Sequence, residues 1–88
     1  MAAYSVTLKP SVEKDLRALP KAALARVMNR MAELERNPIS RQSVKLTGAE
    51  RLYRIRVGEY RIIYEVDVDA RQVVICYVRH RRQVYRDL

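Results

Sequence analysis

The chain has 88 residues, of which 49% are hydrophobic, and this suits a single domain over residues 1–88. No apolar run is long enough to span a bilayer, and the amino terminus lacks a signal-peptide pattern. The chain has one cysteine and so no intramolecular disulfide, which makes a reducing cytoplasm the expected location. Lys and Arg number 18 against 10 Asp and Glu, and the resulting net charge of +8 favours a nucleic-acid or acidic-protein partner.

The first half of the chain has a helical hydrophobic period after a short β-prone segment. Alternation predicts a strand over residues 4–8. Ser11 is the expected N-cap of a first helix over residues 12–19, and Pro20 precedes a second helix over residues 21–36. The apolar stripe of the second helix, expected to face the core, consists of Leu24, Val27, Met28, Met31 and Leu34.

After residue 51 the hydrophobic period changes to two. A polar loop over residues 39–50 leads to strands over residues 52–57, 60–66 and 72–78. The last of these is apolar almost throughout, which is typical of a strand buried on both faces. The sequence therefore predicts an α+β domain, in which an N-terminal strand and two helices pack on a mainly antiparallel sheet completed by a three-strand meander (β-α-α-β-β-β).

The turn between the first two strands of the meander fixes their pairing. Gly58 followed by Glu59 is typical of a two-residue type II′ hairpin, and this turn places Arg56 opposite Arg61. Because strand side chains alternate between faces, the side chains that lie toward the helices are those of Tyr53, Ile55, Val57, Tyr60, Ile62 and Tyr64. The opposite face then carries Arg54, Arg56 and Arg61. A slip of one residue would move these arginines into the core.

The face that carries these three arginines, here called the arginine face, requires a source of negative charge. Like charges directly opposite one another destabilise a sheet. The one hairpin carboxylate on that face, Glu65, lies about 13 Å from Arg61 by strand rise and cannot serve all three arginines. A phosphate site is one interpretation, and pairing with the loop or with the carboxylates of a partner is the other.

The tail adds residues with nucleic-acid chemistry. They are Arg79, His80, Arg81, Arg82, Tyr85 and Arg86. A tyrosine among arginines suits stacking on a base beside bound phosphates. His80, the only histidine, is interpreted either as a general acid or base or as a surface histidine in a basic tail.

No motif points to a metal or a cofactor. Gly-rich phosphate loops and zinc motifs are absent, and the lone Cys76 excludes both a thiolate zinc cluster and an intramolecular disulfide. Cys76 lies in the middle of a predicted strand, so we expect it to be inert. An enzyme of this kind would work by arginine electrostatics, as in attack of an RNA 2′-hydroxyl on its own phosphate. Arginine is a poor general base because it stays protonated.

Three segments resemble one toxin superfamily. The segment LYRIRVGEYRIIYEV (residues 52–66) resembles the core hairpin of RelE/ParE toxins, HRRQVY (80–85) the C-terminal segment of the RelE branch, and KLTG (45–48) the stretch before the hairpin. The resemblance implies a RelE-like domain, the toxin of a type II toxin–antitoxin system. Such toxins are ribosome-dependent, metal-independent ribonucleases that cut mRNA in the A site of the 30S subunit. The implied partners are a cognate antitoxin, mRNA and the ribosome, with operator DNA reached only through the antitoxin complex and no membrane.

The resemblance also implies the site residues. The family's activity-bearing positions fall on Arg54, Arg56, Arg61, Arg81 and Tyr85. Arg61 would hold the scissile phosphate, Arg81 would help the leaving oxygen, and Tyr85 would stack on the base or orient the nucleophile. Further RNA contacts are expected from Lys45, Arg79, His80 and Arg82.

Two departures from the family pattern affect the mechanism. The first hairpin strand has arginines where the best-known members have lysines, one of which is proposed there as a general base. Arg79 stands where the family often has glycine, so it competes with Arg81 for the leaving-group role. Two other functions stay open, namely a ParE-like inhibitor of DNA gyrase and an inactive module that binds the antitoxin. The tail tyrosine favours the RelE branch.

Overall fold

Two helices and one five-stranded sheet make up residues 3–46, 48 and 50–82, which are the residues described by the computed structural model. The elements are β1 (Ser5–Leu8), α1 (Pro10–Arg17), α2 (Lys21–Glu33), β2 (Val44–Lys45), β3 (Leu52–Val57), β4 (Tyr60–Asp67) and β5 (Gln72–His80). The sheet order is β1-β5-β4-β3-β2, and β1 is parallel to β5 whereas the other neighbours are antiparallel. The predicted α+β class is confirmed. Within the described residues, neither helix has the length and apolar character needed to cross a membrane.

Helix α1 begins and ends two residues earlier than predicted, at Pro10 and Arg17, and α2 ends three residues earlier than predicted. Ser11 is not the N-cap, because α1 already begins at Pro10 after Lys9. Proline suits the first helical position, where its missing N–H needs no acceptor and its φ is already helical. Helix α2 ends at Glu33 rather than at residue 36, because the next residues form a tighter turn with hydrogen bonds three residues apart. Arg36 N–H donates to the Glu33 carbonyl at 3.0 Å.

The strands extend beyond the predicted set. Strand β2 lies within the segment that was predicted to be a polar loop, and two residues are too few to show a period. Strand β5 continues through Arg79 and His80, which were predicted to belong to the tail. It is also not fully buried on both faces, because Val74 and Tyr77 are half-buried on the side away from the helices.

The β3–β4 hairpin has the predicted register. Arg56 lies opposite Arg61, and Tyr53 lies opposite Tyr64. Of the two turn residues only Gly58 has a positive φ, +61°, as a type II′ turn requires. A Cβ at this glycine would lie 3.3 Å from the guanidinium nitrogens of Arg26, so the turn packs closely against α2.

The core lies between the helices and one face of the sheet. It contains Val12, Val27, Met31, Leu34, Ile55, Val57, Ile62, Tyr64, Val66, Val73, Ile75 and Val78. Met28 was predicted to face this core but is 45% exposed. The Tyr64 hydroxyl, fully buried, donates a hydrogen bond of 2.6 Å to the Pro38 carbonyl, and burial raises the pKa of Tyr64 to about 12.

The outer edge of β5 is shared by two elements. Strand β1 pairs with its first half, and Lys9 N–H donates to the Ile75 carbonyl at 3.0 Å. Beyond that point α1 takes over, because the Asp15 carboxylate accepts the N–H of Val78 at 3.1 Å. Helix α1 therefore completes a sheet edge that β1 is too short to cover.

The Tyr64 hydrogen bond leads to a stability prediction. We expect Tyr64→Phe to lower the free energy of unfolding by about 1–2 kcal/mol, because the carbonyl of the buried Pro38 would lose its donor. Urea unfolding measures the loss. The matched control is Tyr53→Phe, which keeps a ring stacked on Tyr64. An equal loss in the control would contradict this assignment.

The raised pKa of Tyr64 predicts that the protein loses stability at alkaline pH. The unfolded chain ionises Tyr64 near its ordinary pKa of 10.0, whereas the folded chain keeps the proton up to about 12. Between these values the folded state binds more protons. The contribution of Tyr64 to stability is therefore complete below about pH 10 and is lost as the pH rises through about 12. Urea midpoints across this range should fall more steeply for the wild type than for Tyr64→Phe, and parallel profiles would refute the prediction.

Candidate functional site

Three arginines lie side by side across the sheet, on the face away from the helices. The β3–β4 register places Arg56 opposite Arg61, and the β4–β5 register places Arg61 opposite Arg79. We call these three residues the arginine row. A one-residue irregularity in β5, at Cys76, brings Arg79 rather than Val78 opposite Arg61.

Arg61 is the one buried charged side chain among the described residues, with 8% of its surface exposed. Its Nη1 donates to the carbonyl oxygens of Tyr60 at 3.2 Å and Gly58 at 3.4 Å. No carboxylate in the described part of the chain forms an ion pair with it. Because a guanidinium cannot lose its proton at any ordinary pH, this buried charge calls for an anion.

Arg56 converges on the same turn. It is exposed, and its Nε donates to the Gly58 carbonyl at 3.4 Å, the oxygen that Arg61 also contacts. Arg54 lies two residues earlier on the same face and is half-buried. Neither has a carboxylate partner within the described residues. Neighbouring guanidinium groups offer forked donors that match the oxygens of a phosphate.

Arg79 has a different environment from the rest of the row. Its Nη1 forms a close ion pair with the Asp15 carboxylate, and the two side chains are only 23% and 14% exposed. The guanidinium also lies over the Tyr77 ring, 5.0 Å from its centroid. An acidic residue of α1 thus neutralises the end of the row that lies nearest the sheet edge.

The chain after β5 is held against the hairpin turn. Arg81 N–H donates to the Glu59 carbonyl at 2.8 Å, and Arg81 Nε contacts Glu59 Oε1 at 3.0 Å. These side chains are 48% and 57% exposed, and such a pair contributes only about 0–1 kcal/mol. Arg81 therefore lies at the turn with Glu59 as its partner, and an anion that binds Arg81 more tightly than Glu59 does can replace this carboxylate.

The structure does not bring every predicted residue to this face. Lys45 lies opposite Tyr53, and His80 lies opposite Tyr60, so both are on the helix side of the sheet. The His80 ring meets the Tyr60 ring edge-on at 5.5 Å, and its Nδ1 accepts the N–H of Arg82 at 3.4 Å. Arg82 is exposed. Tyr85, like Arg86, lies outside the described residues.

The sequence analysis missed the two carboxylates that hold Arg79 and Arg81. Glu59 was placed in the turn, but its pairing with Arg81 depends on the β4–β5 register, which includes the irregularity at Cys76. Asp15 gives no local signal, because it lies 63 residues from the Val78 that it contacts. In the described part of the chain, no three His, Cys, Asp or Glu side chains are grouped to hold a metal ion. Burial raises the pKa of the Cys76 thiol, which keeps it protonated.

Known proteins match almost the whole chain. The family described as "ParE toxin of type II toxin-antitoxin system, parDE" matches residues 6–85. RelE1 of Methanocaldococcus jannaschii is 30% identical over 87 residues, which cover 96% of this chain and 97% of that protein. Toxin RelG of Mycobacterium tuberculosis is 31% identical over 84 residues, with 94% and 97% covered.

A solved structure agrees in fold. RelE in the RelE–RelB complex of Pyrococcus horikoshii is 34% identical and superposes with a TM-score of 0.77, covering 92% of this chain and 97% of that one. The family description thus gives the superfamily, and the relatives give the branch. The chain belongs to the RelE branch of the RelE/ParE superfamily of type II toxins.

Proposed function

We propose that this toxin is a ribosome-dependent endoribonuclease that cuts mRNA in the ribosomal A site and so inhibits translation in the cytoplasm. The observation that carries the proposal is Arg61, a buried cation with no carboxylate partner in the described part of the chain. Its donors converge with those of Arg56 at the Gly58 carbonyl. A phosphate bound between the two guanidinium groups would supply the missing negative charge.

The reaction that fits this site is transfer of a phosphoryl group within the RNA. The 2′-oxygen attacks the adjacent phosphorus, the bond from phosphorus to the 5′-oxygen breaks, and the proton of the 2′-hydroxyl is lost as the leaving oxygen gains one. The products are a 2′,3′-cyclic phosphate and a 5′-hydroxyl. Arg61 and Arg56 would stabilise the charge that develops on the non-bridging oxygens, and Arg54 would add positive potential.

The remaining roles fall on the tail. Arg81 would leave its ion pair with Glu59 and contact the leaving oxygen instead, because that ion pair is half-exposed and contributes little. Tyr85 would stack on the base or orient the nucleophile. Lys45, His80 and Arg82 would contact flanking RNA, whereas Arg79 is paired with Asp15. Lys45 and His80 could do so only where the RNA passes around the edge of the sheet, because they lie on its helix side.

No metal is needed in this scheme. Arginine side chains supply the positive charge that a metal ion brings to other nucleases.

The expected protein partner is a cognate antitoxin. The related RelE of Pyrococcus horikoshii forms a complex with RelB. An antitoxin with acidic side chains over Arg54, Arg56 and Arg61 would neutralise the arginine face and exclude RNA from it. Contact with operator DNA would then be made through the antitoxin.

A second function has one observation in its favour. The matching family is described as the ParE toxin family, and inhibition of DNA gyrase is the activity that the ParE resemblance implies. A gyrase inhibitor would not require a phosphate site at Arg61.

The proposed activity can be tested by mapping the cuts in a defined mRNA. The mRNA is translated in vitro with purified toxin and examined by primer extension. We expect cuts at the codon in the A site, only when ribosomes are present, with 5′-hydroxyl and 2′,3′-cyclic phosphate ends. Intact mRNA together with inhibited DNA supercoiling by gyrase would establish the alternative. Ends carrying a 5′-phosphate would contradict the 2′-hydroxyl mechanism.

The role of Arg61 predicts a graded series of variants. We expect Arg61→Ala to reduce the rate of mRNA cleavage about 100-fold or more, because one anchor of the transition-state charge is removed. Arg61→Lys should retain part of the activity, since it keeps a charge but loses the planar fork.

The matched control for this series is Arg51→Ala. Arg51 belongs to the same hairpin segment but pairs with Asp67 at the end away from the turn. The Arg51→Ala variant should cleave mRNA at a rate within about twofold of the wild-type rate, because an exposed ion pair contributes little to stability. Thermal unfolding establishes that each variant is folded. Equal cleavage by Arg61→Ala and the control would refute the phosphate site.

A further inference from the structure

Arg79 and Arg81 both lie near the candidate site, and the structure distinguishes between them. We infer that Asp15 is a positioning residue that holds Arg79 at the α1 edge of the sheet and keeps it from the RNA phosphate. Arg81 is then the tail arginine that reaches the leaving oxygen. This inference rests on the proposed function and concerns how its site is assembled.

The first observation is the double contact of one carboxylate. Asp15 Oδ2 accepts the backbone N–H of Val78 at 3.1 Å and also forms the ion pair with Arg79 Nη1. The backbone contact fixes the carboxylate relative to β5, so the ion pair has a fixed place as well. Asp15 is only 14% exposed, and water therefore competes weakly for it.

The second observation is the direction in which Arg79 is held. Its Cα lies opposite that of Arg61, which would bring two like charges together in the middle of the sheet. The guanidinium instead meets Asp15 of α1 and the Val78 carbonyl at 3.4 Å, while the Tyr77 ring lies beneath it. Asp15 thus neutralises the charge that would otherwise oppose Arg61.

The third observation is the contrast with Arg81. The Arg79–Asp15 side chains are 23% and 14% exposed, whereas the Arg81–Glu59 side chains are 48% and 57% exposed. Separating a largely buried pair leaves an uncompensated carboxylate out of water, which is costly, whereas an exposed pair separates at little cost. An incoming phosphate therefore displaces Glu59 from Arg81 and leaves Asp15 on Arg79.

The test uses the salt dependence of RNA binding by the full chain. The probe is a short single-stranded RNA with 2′-O-methyl sugars, which lacks the nucleophile and is not cut. Each phosphate contact adds about 0.7 to the slope of log affinity against log salt between about 50 and 200 mM. We expect Asp15→Asn, which keeps an acceptor for the Val78 N–H, to steepen the slope by about 0.7 because Arg79 loses its ion pair with Asp15.

Two comparisons make this result specific. Glu13→Gln is the matched control, because it removes the same charge from the same helix but leaves Asp15 in place, and its slope should equal that of the wild type. In the Arg79→Gln background, Asp15→Asn should have no further effect on the slope. The proposal is overturned if a folded Asp15→Asn protein keeps the wild-type slope, or if the slope steepens equally without Arg79.

A measurement on the wild type does not depend on the folding of a variant. The Nε–H signals of the arginines are followed by NMR during titration with the same RNA. The signals of Arg56, Arg61 and Arg81 should shift on addition of RNA. The signal of Arg79 should stay close to its position in the absence of RNA. A shift of Arg79 as large as that of Arg61 would overturn the proposal. Neither measurement requires cleavage, so failure of the nuclease assay is a separate result.

Discussion

The hairpin turn at Gly58 and Glu59 determines which face of the sheet is basic. Its two-residue length sets the register of β3 and β4, and the register decides whether arginines or tyrosines meet the helices. A positive φ at Gly58 permits the turn, and the guanidinium of Arg26 packs against it from α2. The turn also presents the Gly58 carbonyl to Arg56 and Arg61 and the Glu59 carboxylate to Arg81. The fold and the candidate site therefore share one local constraint.

The sheet accommodates a row of like charges by giving each arginine different surroundings. Arg56 extends into solvent, Arg61 is buried against backbone carbonyls, and Arg79 is paired with Asp15. Full neutralisation of the row by carboxylates of its own chain would leave nothing for an anion to bind. If all three arginines were fully exposed, water would weaken their attraction for an anion. The intermediate arrangement concentrates uncompensated positive charge at Arg61, where water is largely excluded.

The features with a local cause could be predicted from the sequence, and those with a distant cause could not. The hairpin register follows from Gly58 and from the alternation around it, and the structure confirms it. The opposition of Arg61 and Arg79 depends on an irregularity at Cys76 that has no sequence signature. The pairing of Asp15 with Arg79 requires α1 to cross the edge of β5, which is a matter of tertiary packing. Lys45 was assigned to the site from composition and resemblance, whereas its face depends on a two-residue strand.

The parallel pairing of β1 with β5 has a consequence for the synthesis of the protein. Strand β5 follows every other strand of the sheet in the chain, yet it lies between β1 and β4. A nascent chain that has not yet released β5 from the ribosome has no neighbour for β1 and no Arg79 for Asp15. Contacts between residues so distant in sequence also form late and slowly. The β1–β5 pairing and the Asp15–Arg79 ion pair therefore form only after β5 has emerged, so the edge of the sheet is the last part of the fold to be completed.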